Sequence, residues 1–251
     1  MSSVDVRPGA GLFVYAVVRA ERDLPEGLVG VDGTPVTLVP YGEIAAVVGE
    51  VALDRPPGRR ADLTAYSAVM EALVPGGAVA PIRFGVVLRD DREVVAEVLA
   101  PRESGLTRLM EQLDGHVQYN VRASYVEDAV LAEILRGDAE IRRLSDLTRA
   151  VPEEARVGER IRLGALVSQT WERLARLDAD HLLTEVAPVV AAHAVRREPG
   201  PAAALDAALL VETARSQELE DALELLAEQA AGRMRLSLVG PLAPYDFVGA
   251  A

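Results

Sequence analysis

Residues Ala204–Val239 read ALDAALLVETARSQELEDALELLAEQAAGRMRLSLV, and their periodicity changes twice. Ala204–Val211 is a short apolar run, the pattern of a buried strand. From Ser216 to Ala230 the apolar residues Leu219, Leu223, Leu226 and Ala230 recur three and four apart, the stripe of an amphipathic helix. Gly232 is placed to end that helix, because only glycine enters the left-handed region freely. Met234–Val239 then reads as another strand.

Working outward, Val186–Val195 is predicted as a strand joined to Ala204–Val211 through a loop containing EPGP. Glu159 to about Leu177 is predicted as a helix, with Leu163, Val167, Trp171, Leu174 and Leu177 on its apolar side. Val117–Val126 has strand composition, and Val117, Tyr119, Val121 and Ala123 would share one face. One or two further helices are expected between Asp128 and Arg149, broken at Gly137. With that insertion set aside, the order is strand, helix, strand, strand, helix, strand, the split βαβ pattern of a ferredoxin-like domain.

The first half carries different signals. Leu12–Val18 (LFVYAVV) reads as a buried strand. Val36–Pro40 and Ile44–Val48 read as strands joined by a turn at Tyr41-Gly42-Glu43. Asp62 could cap a helix to about Val74, with Leu63, Tyr66, Val69, Met70 and Leu73 at helical spacing. Val79–Leu88 (VAPIRFGVVL) is strand-like, with Gly85 as a bend. Helices from Asp90 or Asp91 to Leu99 and around Leu106–Leu113 follow, and Gly115 closes the segment. The fold class predicted is α+β in two domains, an N-terminal sheet domain over 1–115 and a modified ferredoxin-like domain over 116–239 with its helical insertion at about 128–150. Residues 240–251 are expected to form a tail docking between the domains.

Composition narrows the function. The 251 residues are 50% hydrophobic, enough for a substantial core, yet no apolar run approaches the roughly 20 residues of a membrane span. The opening MSSVDVRPGAG lacks a basic region followed by an apolar stretch, so it reads as a frayed leader rather than a secretory signal, and a cytoplasmic location is expected. No cysteine is present, which excludes disulfides, thiolate metal sites and cysteine nucleophiles. A net charge of −13 opposes the field needed to hold phosphate backbones, so nucleic acid is not expected as a partner.

Motifs for catalysis are missing. His116, His181 and His193 form no ligand spacing, and Asp178-Ala179-Asp180-His181 reads as an acidic helix end. Gly27, Gly30 and Gly33 are spaced GxxGxxG, which is not a dinucleotide fingerprint, and the chain has no lysine for a phosphate-binding loop. Ser67, Ser104 and Ser216 lie in no nucleophile elbow, and the pairs Glu153-Glu154 and Glu220-Asp221 read as solvated surface. No catalytic residue, cofactor or metal is predicted.

Two segments stand apart. In Ala80-Pro81-Ile82-Arg83-Phe84-Gly85, a proline that cannot donate to a ladder suggests an edge or a strand start. Arg83 there would either brace the domain or face a partner. In the closing GPLAPYDFV, an aromatic-bearing extended stretch would dock on the protein itself or on a partner. Arg83, Phe84, Pro241, Pro244, Tyr245 and Phe247 are accordingly the candidate protein-contact or interdomain residues.

With LFVYAVV, YGEIAAVV at 41–48, AALLVETARSQELEDAL and their order along the chain, these segments resemble gas vesicle proteins of the F/L family. Members commonly have His near Tyr66, Glu near Gln118, Met at Ile82 and a further Pro at Ala243, so contacts relying on those side chains would differ here. The resemblance implies an accessory or minor structural protein of gas vesicle assembly, built from two α+β domains. It also implies no enzymatic activity, and partners that are the small hydrophobic shell protein and other accessory proteins. A ligand-sensing regulatory module with a ferredoxin-like domain is the competing reading, and an enzyme of unrecognised type a third.

Overall fold

A computed structural model describes residues 7, 9–149, 151–152 and 155–249. The leader and the Glu153-Glu154 pair lie outside the described residues, the leader but for Arg7 and Gly9–Gly11. Among the described residues the chain is a mixed helix and sheet protein with two sheets. It divides into two units, one reaching to Gln118 and taking in the segment from Gly240, the other Tyr119–Val239.

The first unit is organised on β1 (Ala10–Arg19), whose residues Leu12–Val18 are all buried. β1 pairs antiparallel with β3 (Ile44–Ala52), and β3 with β2 (Val36–Tyr41). On its other side β1 carries two short strands, β4 (Ala80–Pro81) and β5 (Val87–Leu88). The register shifts between Val14 and Ala16. Such a bulge puts two residues opposite one, so Tyr15 and Ala16 enter the same core as Phe13 and Val18. Helix α1 (Arg60–Leu73) supplies Tyr66, Val69, Met70 and Leu73 to that core. The run continues through α2 (Asp91–Val94), a π turn over Val95–Leu99, and α3 (Glu103–Leu113), which contacts both β1 and β3. With helices packed on it in this way, β1 has no solvent face, and its sequence is an unbroken apolar run rather than an alternation.

Two polar contacts fix this unit. The Tyr15 hydroxyl, buried in the core, accepts from the Val31 amide at 2.7 Å, and burial raises its pKa to about 12. A side chain at Gly30 would stand 2.0 Å from that hydroxyl, which leaves glycine as the residue that fits. Asp62, 4% exposed, accepts from both Arg55 terminal nitrogens at 2.7 and 3.0 Å and from the amides of Gly58 and Arg59 at 2.8 and 2.9 Å. The Arg55 guanidinium and those amides hold its carboxyl well below the usual carboxylate range.

The chain enters the second unit within β6 (His116–Tyr125), which buries Val117, Tyr119, Val121 and Ala123 on one face and Gln118 on the other. Strands β7 (Ala192–Val195), β8 (Leu205–Glu212) and β9 (Met234–Leu242) complete a sheet of order β7-β8-β6-β9, with β7 antiparallel to β8. Helices α4 (Glu127–Gly137), α5 (Ala139–Arg149) and α6 (Val157–Val186) lie between β6 and β7 in the chain, and α7 (Ser216–Gln229) between β8 and β9. The far half of α6 buries Ala175, Ala179, Leu182 and Val186 and contacts β8. Its near half joins α4 and α5 around Val130, Ile134, Ile141 and Trp171.

Several expectations need correction. Asp62 is not the cap of α1 but its third residue, and Leu63 is 47% exposed. The strand expected over Val79–Leu88 is two short pieces. Val186 ends a helix rather than starting a strand, because α6 runs past Leu177, itself 56% exposed, to use the alanines at 175 and 179 as its inner face. Asp178 and Asp180 are therefore inside α6, not at its end. Gly232 (φ 81°) lies in the turn after α7, whose last carbonyls are capped at Ala230. The tail begins as strand, within β9, and continues as a 3-10 turn over Tyr245–Phe247.

Candidate functional site

The segment between β4 and β5 is anchored at both ends and released in the middle. Ala80 and Pro81 face Val17 and Ala16, while Val87 and Leu88 face Phe13 and Leu12. Inside those pairs Ile82 N–H donates to the Tyr15 carbonyl at 2.9 Å, and Val14 N–H donates to the Val86 carbonyl at 2.9 Å. Arg83-Phe84-Gly85 is left unpaired by the ladder, and Gly85 has φ 93°, a conformation side chains resist. This is the outermost position in the sheet order, where a proline removes no needed donor.

Phe84 turns back inward, with ring centroids 5.5 Å from Phe13 and 5.4 Å from Tyr66. Arg83 stays exposed. The Tyr66 hydroxyl donates to the Ile82 carbonyl at 2.8 Å, so α1 also fixes the segment. Burial first, and then the neighbouring Tyr245 hydroxyl, push the Tyr66 phenol far above its ordinary pKa.

Tyr245 belongs to the tail, which is held further by burial and by Gln118. Ala243 and Pro244 are buried. Gln118, 1% exposed, donates from Nε2 to Asp246 Oδ2 at 2.6 Å, and its Oε1 accepts from the Asp246 amide at 3.0 Å. Phe247 N–H donates to the Pro244 carbonyl at 3.1 Å, closing the turn.

Two adjoining hollows result. One of about 490 Å³ is lined by Ile82, Arg83, Val98, Arg102 and Tyr245 among others. Another of about 610 Å³ is lined by Arg102, Arg108, Leu109 and Phe247 among others, and the two share Arg102, Val248 and Gly249. Among the described residues the guanidinium groups of Arg83, Arg102 and Arg108 have no hydrogen-bond or ion-pair partner, and Glu97 is the sole acidic residue lining either hollow.

Of the six candidates, Arg83, Tyr245 and Phe247 line these hollows, while Phe84 is half-buried in the aromatic cluster, Pro244 is buried, and Pro241 is exposed and lines neither. Sequence reasoning did not single out Arg102 and Arg108, which lie in no motif. It also missed the roles of Tyr66 and Gln118, although both had stood out as departures from the family pattern.

Elsewhere, Asp178 accepts from Arg233 at 2.9 Å and from the Tyr125 hydroxyl, and Arg233 also reaches Glu133 at 2.7 Å. Among the described residues no group of three or more His, Asp or Glu side chains could hold a metal ion. Nor, among them, is any helix long and apolar enough to cross a membrane.

Residues 11–249 match the model of a family described as gas vesicle synthesis protein GvpL/GvpF. The chain belongs to the GvpL/GvpF family. It is 36% identical to gas vesicle protein F of Streptomyces sp. (strain CB03234), over 94% of this chain and 98% of that protein. It is 32% identical to gas vesicle protein L of the same strain, over 95% of this chain and 93% of that protein. Its fold is that of the crystal structure of GvpF from Anabaena sp. PCC7120, at a TM-score of 0.84 and 19% identity over 96% of this chain and 99% of that one.

Proposed function

We propose that this GvpL/GvpF family protein acts in gas vesicle assembly by binding the hydrophobic shell protein and other accessory proteins, in the cytoplasm and without catalysing a reaction. The observation that carries the reading is the edge of the first sheet. There the chain releases Arg83-Phe84-Gly85 from the ladder and leaves the arginine exposed beside a largely apolar hollow that Tyr245 and Val248 of the tail help to line. A very apolar shell subunit needs a partner that covers it while staying dissolved, and a chain of net charge −13 supplies the second property by self-repulsion.

In this reading the second unit is a modified ferredoxin-like domain carrying α4 and α5 as its insertion. The sheet order β7-β8-β6-β9 supports that assignment. The test is genetic and biochemical together. Deletion of the gene should abolish or deform vesicles, and the tagged full-length chain should capture the shell protein from the same cells. Normal vesicles after deletion, with no capture, would refute it. The full chain is the right bait, because a fragment ending at residue 115 lacks Gln118 and the tail that complete the first unit.

A further inference from the structure

The two adjoining hollows invert the charge balance of the chain. Overall there are 39 acidic residues against 26 basic ones. Among the described residues their lining holds Arg83, Arg102 and Arg108 against Glu97 as its one acidic residue. Several arginines elsewhere in the same fold find acidic partners, Arg55 with two aspartates, Arg89 with Glu93, Arg215 with Glu218, Arg233 with Glu133 and Asp178. Among the described residues other exposed arginines such as Arg173 are unpaired too, and what sets these three apart is that they stand together, unpaired, around hollows with apolar lining. Between them lie Ile82, Val98, Leu109, Phe247 and Val248.

We propose that these hollows form one docking site for an extended apolar peptide segment of a partner protein that carries carboxylates. Its aliphatic side chains would fill the space over Ile82, Val98 and Val248, and its carboxylates would take bidentate hydrogen bonds from Arg83 and Arg102 or Arg108. The backbone edge at Arg83-Phe84-Gly85 is free of ladder bonds and available to such a peptide. Tyr245 and Phe247 place the tail in the lining, so the site is complete only when the tail is docked. The inference rests on the reading of the protein as a shell-protein partner and adds which chemistry of the partner is recognised, and where.

The experiment uses the full-length chain and an array of overlapping peptides covering the shell protein of the same gene cluster. A twin array replaces every Asp and Glu by Asn and Gln. The expected result is binding confined to apolar peptides with at least one carboxylate, weakened about tenfold or more in the twin array. The double variant Arg83→Glu/Arg102→Glu should lose that binding, while Arg173→Glu on the exposed side of α6 should keep it. Both substituted sites are exposed, so equal melting temperatures are expected and would be checked. Equal binding to the two arrays, or undiminished binding by the double variant, overturns the inference. So does silence on the array when the intact shell protein is captured, and that outcome leaves the functional reading standing. Failure to capture the intact protein at all refutes both.

Discussion

Arg233 and Arg83 show the same side chain used in opposite ways in the two units. Arg233 is 28% exposed at its side chain and is saturated, with Glu133 and Asp178 on its nitrogens and the Tyr125 ring 5.6 Å from its guanidinium carbon. It ties α4 and α6 to the turn before β9. Arg83 is exposed and, among the described residues, unpaired. An arginine with each direction occupied holds a fold together, and one left open beside an apolar hollow has its recognition capacity still to spend. The distinction is one of energetics. Removing the first leaves two part-buried carboxylates without their cation, whereas removing the second changes solvated surface.

Predictions follow from pushing on that difference. The largest effect is expected at Asp62, another saturated site. Asp62→Ala should lose about 3 kcal/mol, since it strands two backbone amides at a buried position and leaves Arg55 with Asp32 alone, measured by urea unfolding. Because the Asp62 pKa is depressed on folding, its contribution is present above the ordinary aspartate pKa of about 3.9 and is lost as pH falls below it. Asp62→Asn should therefore be less stable at pH 7 but flatter between about pH 5 and pH 2 than the parent.

Arg233→Ala should cost about 2 kcal/mol. Trp171, the only tryptophan, packs against Tyr125 at 6.0 Å and should report the loosening by its fluorescence. An unchanged spectrum and stability would erase the contrast between the two arginines. Gln118→Glu should cost about 1 kcal/mol by setting a second carboxylate against Asp246. That loss should ease as pH falls through the carboxylate range, and protease access to the tail would follow it. The smallest effect belongs to Arg83→Ala, with stability within about 0.5 kcal/mol of the parent.

Much of this was readable in sequence where one local force dominates. The run at Leu12–Val18 can only be a buried strand, and the alternation at Val117–Ala123 reads directly as one inward face. The missing N–H of Pro81 pointed to an edge or a strand start, and β4 lies at the end of its sheet. Readings failed where packing overrides pattern. Leu177 looked apolar-inward, but small alanines at 175 and 179 let α6 approach β8 and turned the leucine outward. Gly85 was legible as a bend, yet that the ladder would release its neighbours depends on where Tyr15 and Val14 bond across. The tail motif pointed to Tyr245 and Phe247, while Arg102 and Arg108 carried no local signal, since their importance comes from what the fold leaves them without.

The central claim is that the first unit's arginine-lined edge meets the shell protein. A photo-reactive phenylalanine analogue at Gln112, which lines the hollow shared with Arg102, tests it without removing an arginine. The same analogue at Leu225, 55% exposed on α7, is the reference. Irradiation in cells forming vesicles should crosslink the shell protein from position 112 and not from 225. A crosslink from 225 alone, or from neither position in cells that form normal vesicles, would contradict the account.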